Sequence, residues 1–213
     1  MKLLVVLIAV AMANMAVPAH PEGYTIQHLE QPEVMIDLYE DPLCSACAQF
    51  DVAFSRFLER EYDNRPIYSI AEITFHFFPL PYHRNAFIVS KLGPYIYEKE
   101  GGLAIHDYLS FCLQNESYFN SHARETTEAE FKEDLCMMAA DAFSFTKDDC
   151  QDALKNSNYE TLTRQAWKFS SENRVTGTPT MHVNGVVANA PFTDTEWDDF
   201  MDTYLPQYTR TDL

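Results

Sequence analysis

The chain has 213 residues, a length that suits one domain with a full hydrophobic core or a small domain carrying an insertion. Hydrophobic residues make up 46% and charged residues 22%, which argues against a wholly disordered chain. Acidic residues outnumber Lys and Arg by 32 to 15, and the formal charge of -17 repels phosphate backbones and anionic lipid surfaces. We therefore expect no nucleic-acid partner.

The N-terminus has the pattern of a secretory signal. Met1 and Lys2 precede an apolar run over 3–11 that is too short to span a bilayer, and small-residue cleavage sites follow. We expect residues 1–19 to be a signal peptide, which places the protein in the secretory pathway, either in the endoplasmic reticulum lumen or outside the cell. No later stretch has the length of a membrane span.

Two short motifs fit an exported protein. The last four residues, 210–213, loosely resemble an endoplasmic-reticulum retention signal. The sequence Asn115-Glu116-Ser117 is an N-glycosylation motif, which makes Asn115 a candidate site of modification.

The first elements alternate between strand and helix. Residues 34–39 predict a strand that Asp41-Pro42 ends just before Cys44. Residues 73–78 predict a second strand, closed by a loop at 79–81. The helix between them has an apolar stripe at three- and four-residue steps, formed by Phe50, Ala53, Phe54, Phe57 and Leu58.

The central part of the chain, from Asn85 to Asn173, has helical patterns without another convincing strand. Thr127 and Glu130 predict a capping box at the start of one helix. A later helix has an apolar stripe formed by Tyr159, Leu162, Ala166, Trp167 and Ser170.

Strand signals return near the C-terminus, at 180–183. Asn184-Gly185 predicts a two-residue hairpin turn into a further strand at Val186-Val187. A last helix opens with a second capping box, Thr193 and Glu196. Its apolar face consists of Trp197, Phe200, Met201, Tyr204 and Leu205. The order of elements predicts a two-layer α/β core interrupted by a helical insertion.

The pair Cys44 and Cys47, at the start of the first helix, allows three interpretations. A zinc site needs two more ligands, and the sequence has no second pair of this kind. A structural disulfide between the two is possible but closes a strained ring with little loop entropy. As a redox pair, Cys44 is a thiolate favoured by the helix N-terminus and Cys47, one turn along, closes the disulfide.

Two separated segments resemble the signatures of DsbA-like thioredoxin-fold oxidoreductases: Asp41-x-x-Cys44-x-x-Cys47 after a strand, and 175–180 before a strand. The resemblance implies an α/β thioredoxin-like fold, with its core at 33–84 and 175–205 and a helical insertion at 85–174. It also implies thiol-disulfide exchange with protein substrates and a redox recycling partner, without a cofactor or a metal ion.

The resemblance also assigns roles to residues. It implies that Cys44 is the nucleophile and Cys47 the resolving thiol, with Pro179 as a cis-proline facing the pair and Thr178 before it. The dipeptide Ser45-Ala46 departs from the family's usual pairs, which contain Pro or His. Without a neighbouring imidazolium, we expect the Cys44 thiolate to be less stabilised than in the strongest oxidants, and the redox direction stays open.

The remaining candidates rest on position alone. Asp37, in the first strand, is a candidate for a buried acid that assists proton transfer, although a position at the rim fits equally well. His83 and His182 are interpreted as structural. Of the other cysteines, we expect Cys136 and Cys150 to form a disulfide, because they lie on consecutive helices joined by a short turn, and Cys112 to stay free.

Two other functions remain open from the sequence. One is a non-redox relative that handles glutathione as a transferase or isomerase, although such relatives lack the second cysteine. The other is a chaperone-like module that keeps the fold as a peptide-binding cleft. Turnover measured with and without Cys44 separates both from a redox enzyme.

Overall fold

The structure, a computed structural model, describes residues 23–122 and 125–205. The predicted signal peptide and the C-terminal motif at 210–213 lie outside the described residues. Within them, no helix combines the length and the apolar composition that a membrane crossing requires.

The predicted elements appear in order with small shifts at their ends, and three short strands, at 24–25, 61–62 and 65–66, were not predicted. The strands are β1 (Tyr24–Thr25), β2 (Val34–Glu40), β3 (Glu61–Tyr62), β4 (Arg65–Pro66), β5 (Ala71–Phe77), β6 (Thr180–Val183) and β7 (Val186–Ala188). The helices are α1 (Ser45–Leu58), α2 (Ala86–Ser90), α3 (Gly93–Glu100), α4 (Gly102–Gln114), α5 (Glu116–His122), α6 (Glu128–Ala142), α7 (Lys147–Lys155), α8 (Ser157–Glu172) and α9 (Asp194–Tyr204). A 3₁₀ turn covers Ile67–Ser69.

The main sheet has the strand order β1-β5-β2-β6-β7. β2 and β5 are parallel, as a βαβ unit connected by α1 requires, and the other pairs are antiparallel. The register places Asp37 of β2 between Thr74 of β5 and His182 of β6. The hairpin at Asn184-Gly185 forms as predicted, and both residues have positive φ. The fold is the predicted thioredoxin-like α/β architecture.

α1 and α9 cover one face of the sheet. All five residues of the predicted α1 stripe are buried. The Trp197 ring of α9 stacks on Phe57 of α1 with 4.0 Å between centroids, which fixes the two helices together. Thr193 caps α9 as predicted by accepting the Glu196 N–H, and the Glu196 carboxylate accepts the Phe192 N–H.

The described chain between β5 and β6 is helical, as predicted for the insertion. Thr127 and Glu130 form the predicted capping box of α6, and Thr146 and Asp149 form another, not identified from the sequence, on α7. One residue of the predicted apolar stripe on α8 is not buried, since Trp167 is 39% exposed. Its ring lies flat against Phe78 at the edge of the insertion, with 5.6 Å between centroids.

A disulfide joins α6 to α7. Cys136 and Cys150 are bonded, with their Cα atoms 5.5 Å apart, which confirms the predicted pairing. Cys112 is a free thiol buried in α4, also as predicted.

We predict that the double substitution Cys136→Ala/Cys150→Ala lowers the free energy of unfolding by about 3 kcal/mol, because the unfolded chain gains the entropy of a loop of that length. Urea unfolding with and without dithiothreitol measures the effect. Cys112→Ala is the control for the loss of a buried thiol without a bridge. An equal loss in both variants would show that the bridge itself contributes nothing.

Candidate active site

Cys44 is the N-cap residue of α1. Its backbone N–H donates to the Asp41 carbonyl at 3.0 Å, and its own carbonyl accepts the Ala48 N–H, so the turn delivers the chain directly into the helix. Cys47 is the third residue of α1 and lies one turn further along. Both are free thiols, and they differ in access: Cys44 is 7% exposed and Cys47 is fully buried.

The helix start makes Cys44 strongly acidic. A hydrogen bond from the Cys47 thiol is the largest cause, and the backbone N–H groups of Cys47 and Ala46 act in the same direction. Together they outweigh burial and lower the pKa of Cys44 from 9.0 to about 5. The Cys47 pKa is raised well above its ordinary value, first by burial and then by its bond to Cys44. At neutral pH the pair holds one thiolate and one thiol.

The loop before β6 meets this helix start. β6 pairs with β2, which brings 175–180 beside the beginning of α1. The peptide bond between Thr178 and Pro179 is cis, as the resemblance implies. The Cys44 thiol group lies 3.6 Å from the Thr178 carbonyl oxygen, to which it donates when protonated. The structure therefore brings Cys44, Cys47, Thr178 and Pro179 together.

The sequence left Asp37 as either a buried acid or a rim residue, and the structure has it partly exposed, on the face of the sheet opposite to Glu40. The Asp37 side chain is 28% exposed and accepts from His76 Nε2 at 2.9 Å. Successive residues of a strand point to opposite faces, so Asp37 and Glu40 are on opposite sides of the sheet. Asp37 is on the side of α8, because the His76 ring stacks on Phe169 of that helix.

The buried acid beside the cysteines is Glu40. Its carboxyl group interacts with the Cys47 thiol, and neither carboxyl oxygen has a geometrically satisfactory hydrogen bond within the described residues. Burial is the main reason that the pKa of Glu40 lies well above 4.5. The signal for it was available in the sequence, because Ile36, Leu38 and Glu40 alternate on one face of β2. The prediction ended the strand one residue too early.

A buried carboxylate holds the turn in front of Cys44. Asp41 accepts the N–H groups of Leu43 and Leu80, each at 2.7 Å, and its second oxygen also lies 2.7 Å from His83 Nδ1. The bond to Asp41 is the main cause of a raised His83 pKa, and the charge on Cys44 adds to it. His83 was interpreted as structural, yet it lies close enough to Cys44 for the two groups to interact electrostatically.

The other sequence candidates lie apart from this centre. His182 packs against Tyr39, on the same side of the sheet as Asp37, and burial lowers its pKa. Asn115 lies at the end of α4, half-buried, and its side-chain N–H donates to the Phe111 carbonyl at 2.8 Å. Across 23–122 and 125–205, no group of three or more His, Cys, Asp or Glu residues has the geometry of a metal site.

We predict that iodoacetamide modifies Cys44 of the reduced protein at a rate that is constant above about pH 6 and falls with a midpoint near pH 5. The pKa of Cys44 is lower in the folded than in the unfolded protein, so the Cys44 thiolate stabilises the fold. This contribution is fully present above the ordinary thiol pKa and is lost as pH falls through about 5. Cys47→Ala removes the main hydrogen-bond donor and shifts the midpoint upward. Mass spectrometry of the labelled peptides measures the rates, and a midpoint near pH 9 would contradict the described geometry.

We predict that Glu40→Leu raises the free energy of unfolding by about 1–3 kcal/mol at pH 7, because it removes a buried carboxyl group that lacks a hydrogen-bond partner. The pKa of Glu40 is higher in the folded than in the unfolded protein, so the cost of burying this group grows as pH rises above 4.5. The free energy of unfolding gained by Glu40→Leu should therefore be smaller at pH 4 than at pH 7. Urea unfolding at both pH values tests this. The exposed Glu61→Leu is the control, and a gain independent of pH would refute the assignment.

Comparisons with known proteins agree with this architecture. A family model described as thioredoxin matches residues 29–203. No curated protein matches the chain. DsbA from Chlamydia trachomatis is similar in structure with a TM-score of 0.65 and 17% identity, covering 86% of this chain and 89% of that one.

Two further solved structures are similar over most of their length. Alpha-DsbA1 from Wolbachia pipientis has a TM-score of 0.67 at 12% identity, and the match covers 88% of this chain and 93% of the Wolbachia chain. A protein-disulfide isomerase from Novosphingobium aromaticivorans has a TM-score of 0.64 at 12% identity, with 88% and 97% covered. With the family model spanning most of the chain, the protein belongs to the thioredoxin family and has the DsbA-like form of its fold.

Proposed function

We propose that this protein catalyses thiol-disulfide exchange in protein substrates through Cys44 and Cys47. One observation carries the proposal: an acidic thiol at the start of a helix, beside the loop at Pro179, with a second thiol buried one turn along. A thiolate is the reactive form of cysteine, and this site holds one at neutral pH. The similarity to proteins named DsbA and protein-disulfide isomerase supports the same class of activity.

The exchange proceeds in two steps. The Cys44 thiolate attacks one sulfur of a substrate disulfide, the substrate S–S bond breaks, and the other substrate sulfur leaves as a thiolate that takes a proton. Cys47 then loses its proton and attacks Cys44, which releases the second substrate sulfur as a thiol. The substrate has gained two electrons and the protein holds a Cys44–Cys47 disulfide. Run in reverse, the same steps oxidise a substrate dithiol.

Glu40 is the group that handles the Cys47 proton in this scheme. Burial raises the pKa of both the Cys47 thiol and the Glu40 carboxyl group, and the two groups interact directly, so Glu40 is placed to exchange a proton with Cys47. A carboxylate with a raised pKa is also a stronger base than an ordinary carboxylate. Glu40, rather than the sequence candidate Asp37, is therefore the group proposed for this role.

The acidity of Cys44 favours the oxidising direction. A stabilised thiolate stabilises the reduced pair, and a protein with a stable reduced form readily donates its disulfide. The dipeptide Ser45-Ala46 lacks an imidazolium, and the Cys47 thiol and backbone N–H groups supply the stabilisation instead. Continued turnover then requires a partner disulfide that reoxidises Cys44 and Cys47.

The internal disulfide fits action in an oxidising compartment. Disulfides such as Cys136–Cys150 persist in exported proteins and are rare in the cytosol. Together with the apolar N-terminal run, this bond supports a protein of the secretory pathway.

We predict that Cys47→Ala leaves the attack by Cys44 intact but removes the resolving thiol, so mixed disulfides with substrate proteins accumulate. Cys44→Ala should abolish both turnover and trapping, because Cys47 is buried and its raised pKa keeps it protonated. Non-reducing gel electrophoresis detects the adducts, and refolding of a reduced disulfide-containing protein measures turnover.

Cys112→Ala is the matched control, since it removes a buried thiol outside the pair and should leave turnover unchanged. If Cys44→Ala retains turnover while Cys47→Ala traps nothing, the two roles are wrong. A protein that acts only as a chaperone would keep its activity in both variants.

A further inference from the structure

His83 is a further titratable group beside the thiol pair, and neither step of the exchange uses it. It lies in the loop after β5, and its Nδ1 is 2.7 Å from a carboxyl oxygen of Asp41. The backbone carbonyl of the same Asp41 accepts the Cys44 N–H at 3.0 Å. One residue therefore holds both the imidazole and the start of the helix that carries the nucleophilic thiol.

The imidazole has a fixed position and also has access to solvent. The Asp41 side chain has no exposed surface, so the group that binds the imidazole is itself held in the interior. The loop is fixed at two further points, because the Leu80 N–H donates to Asp41 and the His83 N–H donates to the Leu80 carbonyl. The His83 side chain is 18% exposed and lines a cavity of about 490 Å³, so it can exchange its proton with solvent.

Pairing with Asp41 does not cancel the effect of protonating His83. The Asp41 carboxylate also accepts the Leu43 and Leu80 N–H groups, and it keeps these bonds when the imidazole loses its proton. Gain or loss of a proton at His83 therefore changes the charge at this site by one unit. What matters for Cys44 is this change, and not the net charge of the pair in either state.

The other charged groups around His83 have the same charge in reduced and oxidised protein. Glu116 of α5 favours the imidazolium, as Asp41 and Cys44 do. The cavity beside His83 is also lined by cations that have interactions of their own, which are Arg84, Arg164 and Lys168. None of these groups takes part in thiol-disulfide exchange. Of the groups named here, only Cys44 changes its charge with the redox state.

The redox state of the pair is therefore coupled to the protonation of His83. The bond to Asp41 is the main cause of the raised His83 pKa, and the negative charge of Cys44 raises it further. Oxidation to a Cys44–Cys47 disulfide removes that negative charge. Linkage requires the converse, that the imidazolium stabilises the thiolate to the same extent. The Cys47 thiol and the backbone N–H groups remain the larger causes of the acidity of Cys44.

We propose that His83 takes up a proton when the thiol pair is reduced, and that its charge then helps to hold Cys44 as a thiolate. A substrate dithiol that becomes a disulfide passes two electrons and two protons to the protein. Cys47 keeps one proton as a thiol, Cys44 becomes a thiolate, and His83 receives the other proton. His83 is thus a positioning residue that acts through the charge on Cys44. The inference rests on the proposed function only in taking Cys44 and Cys47 as the redox pair.

Proton uptake is tested by NMR titration of the histidine ring signals in the reduced protein, the oxidised protein and reduced Cys44→Ser. The signals that disappear in His83→Gln identify the ring. We expect a higher His83 midpoint in the reduced than in the oxidised protein, and a low midpoint in Cys44→Ser, which has no thiolate at this position. His28, which is exposed and lies beside Glu72 at the opposite end of β5, is the control and should titrate alike in all three samples.

Two results of this titration would overturn the inference. Equal His83 midpoints in the three samples would show that the ring does not respond to the thiolate. A Cys44→Ser midpoint equal to that of the reduced protein would assign the difference to the disulfide bond and not to the charge on Cys44.

The reciprocal effect on Cys44 is measured as the iodoacetamide labelling rate at about pH 4.5, where the imidazole is protonated and the thiol only partly ionised. His83→Gln keeps an N–H donor for Asp41 but has no charge. It should lower the rate about threefold, the order of magnitude for two charges several ångströms apart near water. His83→Lys carries a charge and should recover most of the rate, and His28→Gln is the control.

The labelling rates separate a charge effect from a purely structural role. A His83→Gln rate equal to that of the unmodified protein, or an equal loss in His83→Gln and His83→Lys, would overturn the inference. Neither measurement needs a substrate. If the protein fails to exchange disulfides with any reduced or oxidised substrate, the proposed function is refuted, while the titration still decides whether His83 and Cys44 are coupled.

Discussion

The arrangement of this site depends on one buried carboxylate, that of Asp41. It has no exposed surface, and it accepts hydrogen bonds from the turn that precedes Cys44 and from the loop that follows β5. These two segments are about forty residues apart in the chain and follow directly after the paired ends of β2 and β5. Losing the carboxylate would leave two buried backbone N–H groups without an acceptor, a costly outcome in a dry interior. Together with the adjacent pairing of β2 and β5, the hydrogen bonds of Asp41 hold the start of α1 and its thiol in place.

Two adjacent acids at the end of β2 have opposite surroundings. The Asp41 carboxylate has several donors, whereas the Glu40 carboxyl group has none of good geometry within the described residues. The cause is that β2 is covered on both faces at its end: α1 covers the face of Glu40, and Tyr39 on the other face stacks on His76. One acid therefore holds the structure together, and the other has an altered affinity for protons that suits it to chemistry. The two acids are consecutive in the chain, Glu40 as the last residue of β2 and Asp41 directly after it.

Local rules were sufficient for much of the fold. The stripe on α1, the turn at Asn184-Gly185 and the capping box of α6 depend on residues a few positions apart, so their patterns are legible in the sequence. The sequence also placed Cys44 and Cys47 at the start of a helix that follows a strand, and the structure has them there. Thr178 and Pro179 came from the resemblance alone.

The rest depends on contacts that no local pattern contains. Choosing between Asp37 and Glu40 required knowing where β2 ends and which of its faces meets α1. The role of Asp41 depends on the loop at Leu80, and the exposure of Trp167 depends on how much of α8 the neighbouring elements cover. Each of these is set by tertiary packing, which also decides the proton affinities at the site.

The burial of Cys112 has a consequence for the protein's own integrity. A protein that combines a reactive thiolate, an internal disulfide and a further thiol is exposed to exchange among its own cysteines. Cys112 is fully buried in α4, and burial raises its pKa well above the ordinary value, so it forms almost no thiolate while the protein is folded. Burial alone thereby keeps this unpaired cysteine from taking part in disulfide exchange. In the folded protein, the Cys136–Cys150 disulfide is therefore not exposed to attack by Cys112, and the acidic thiol is the one at the start of α1.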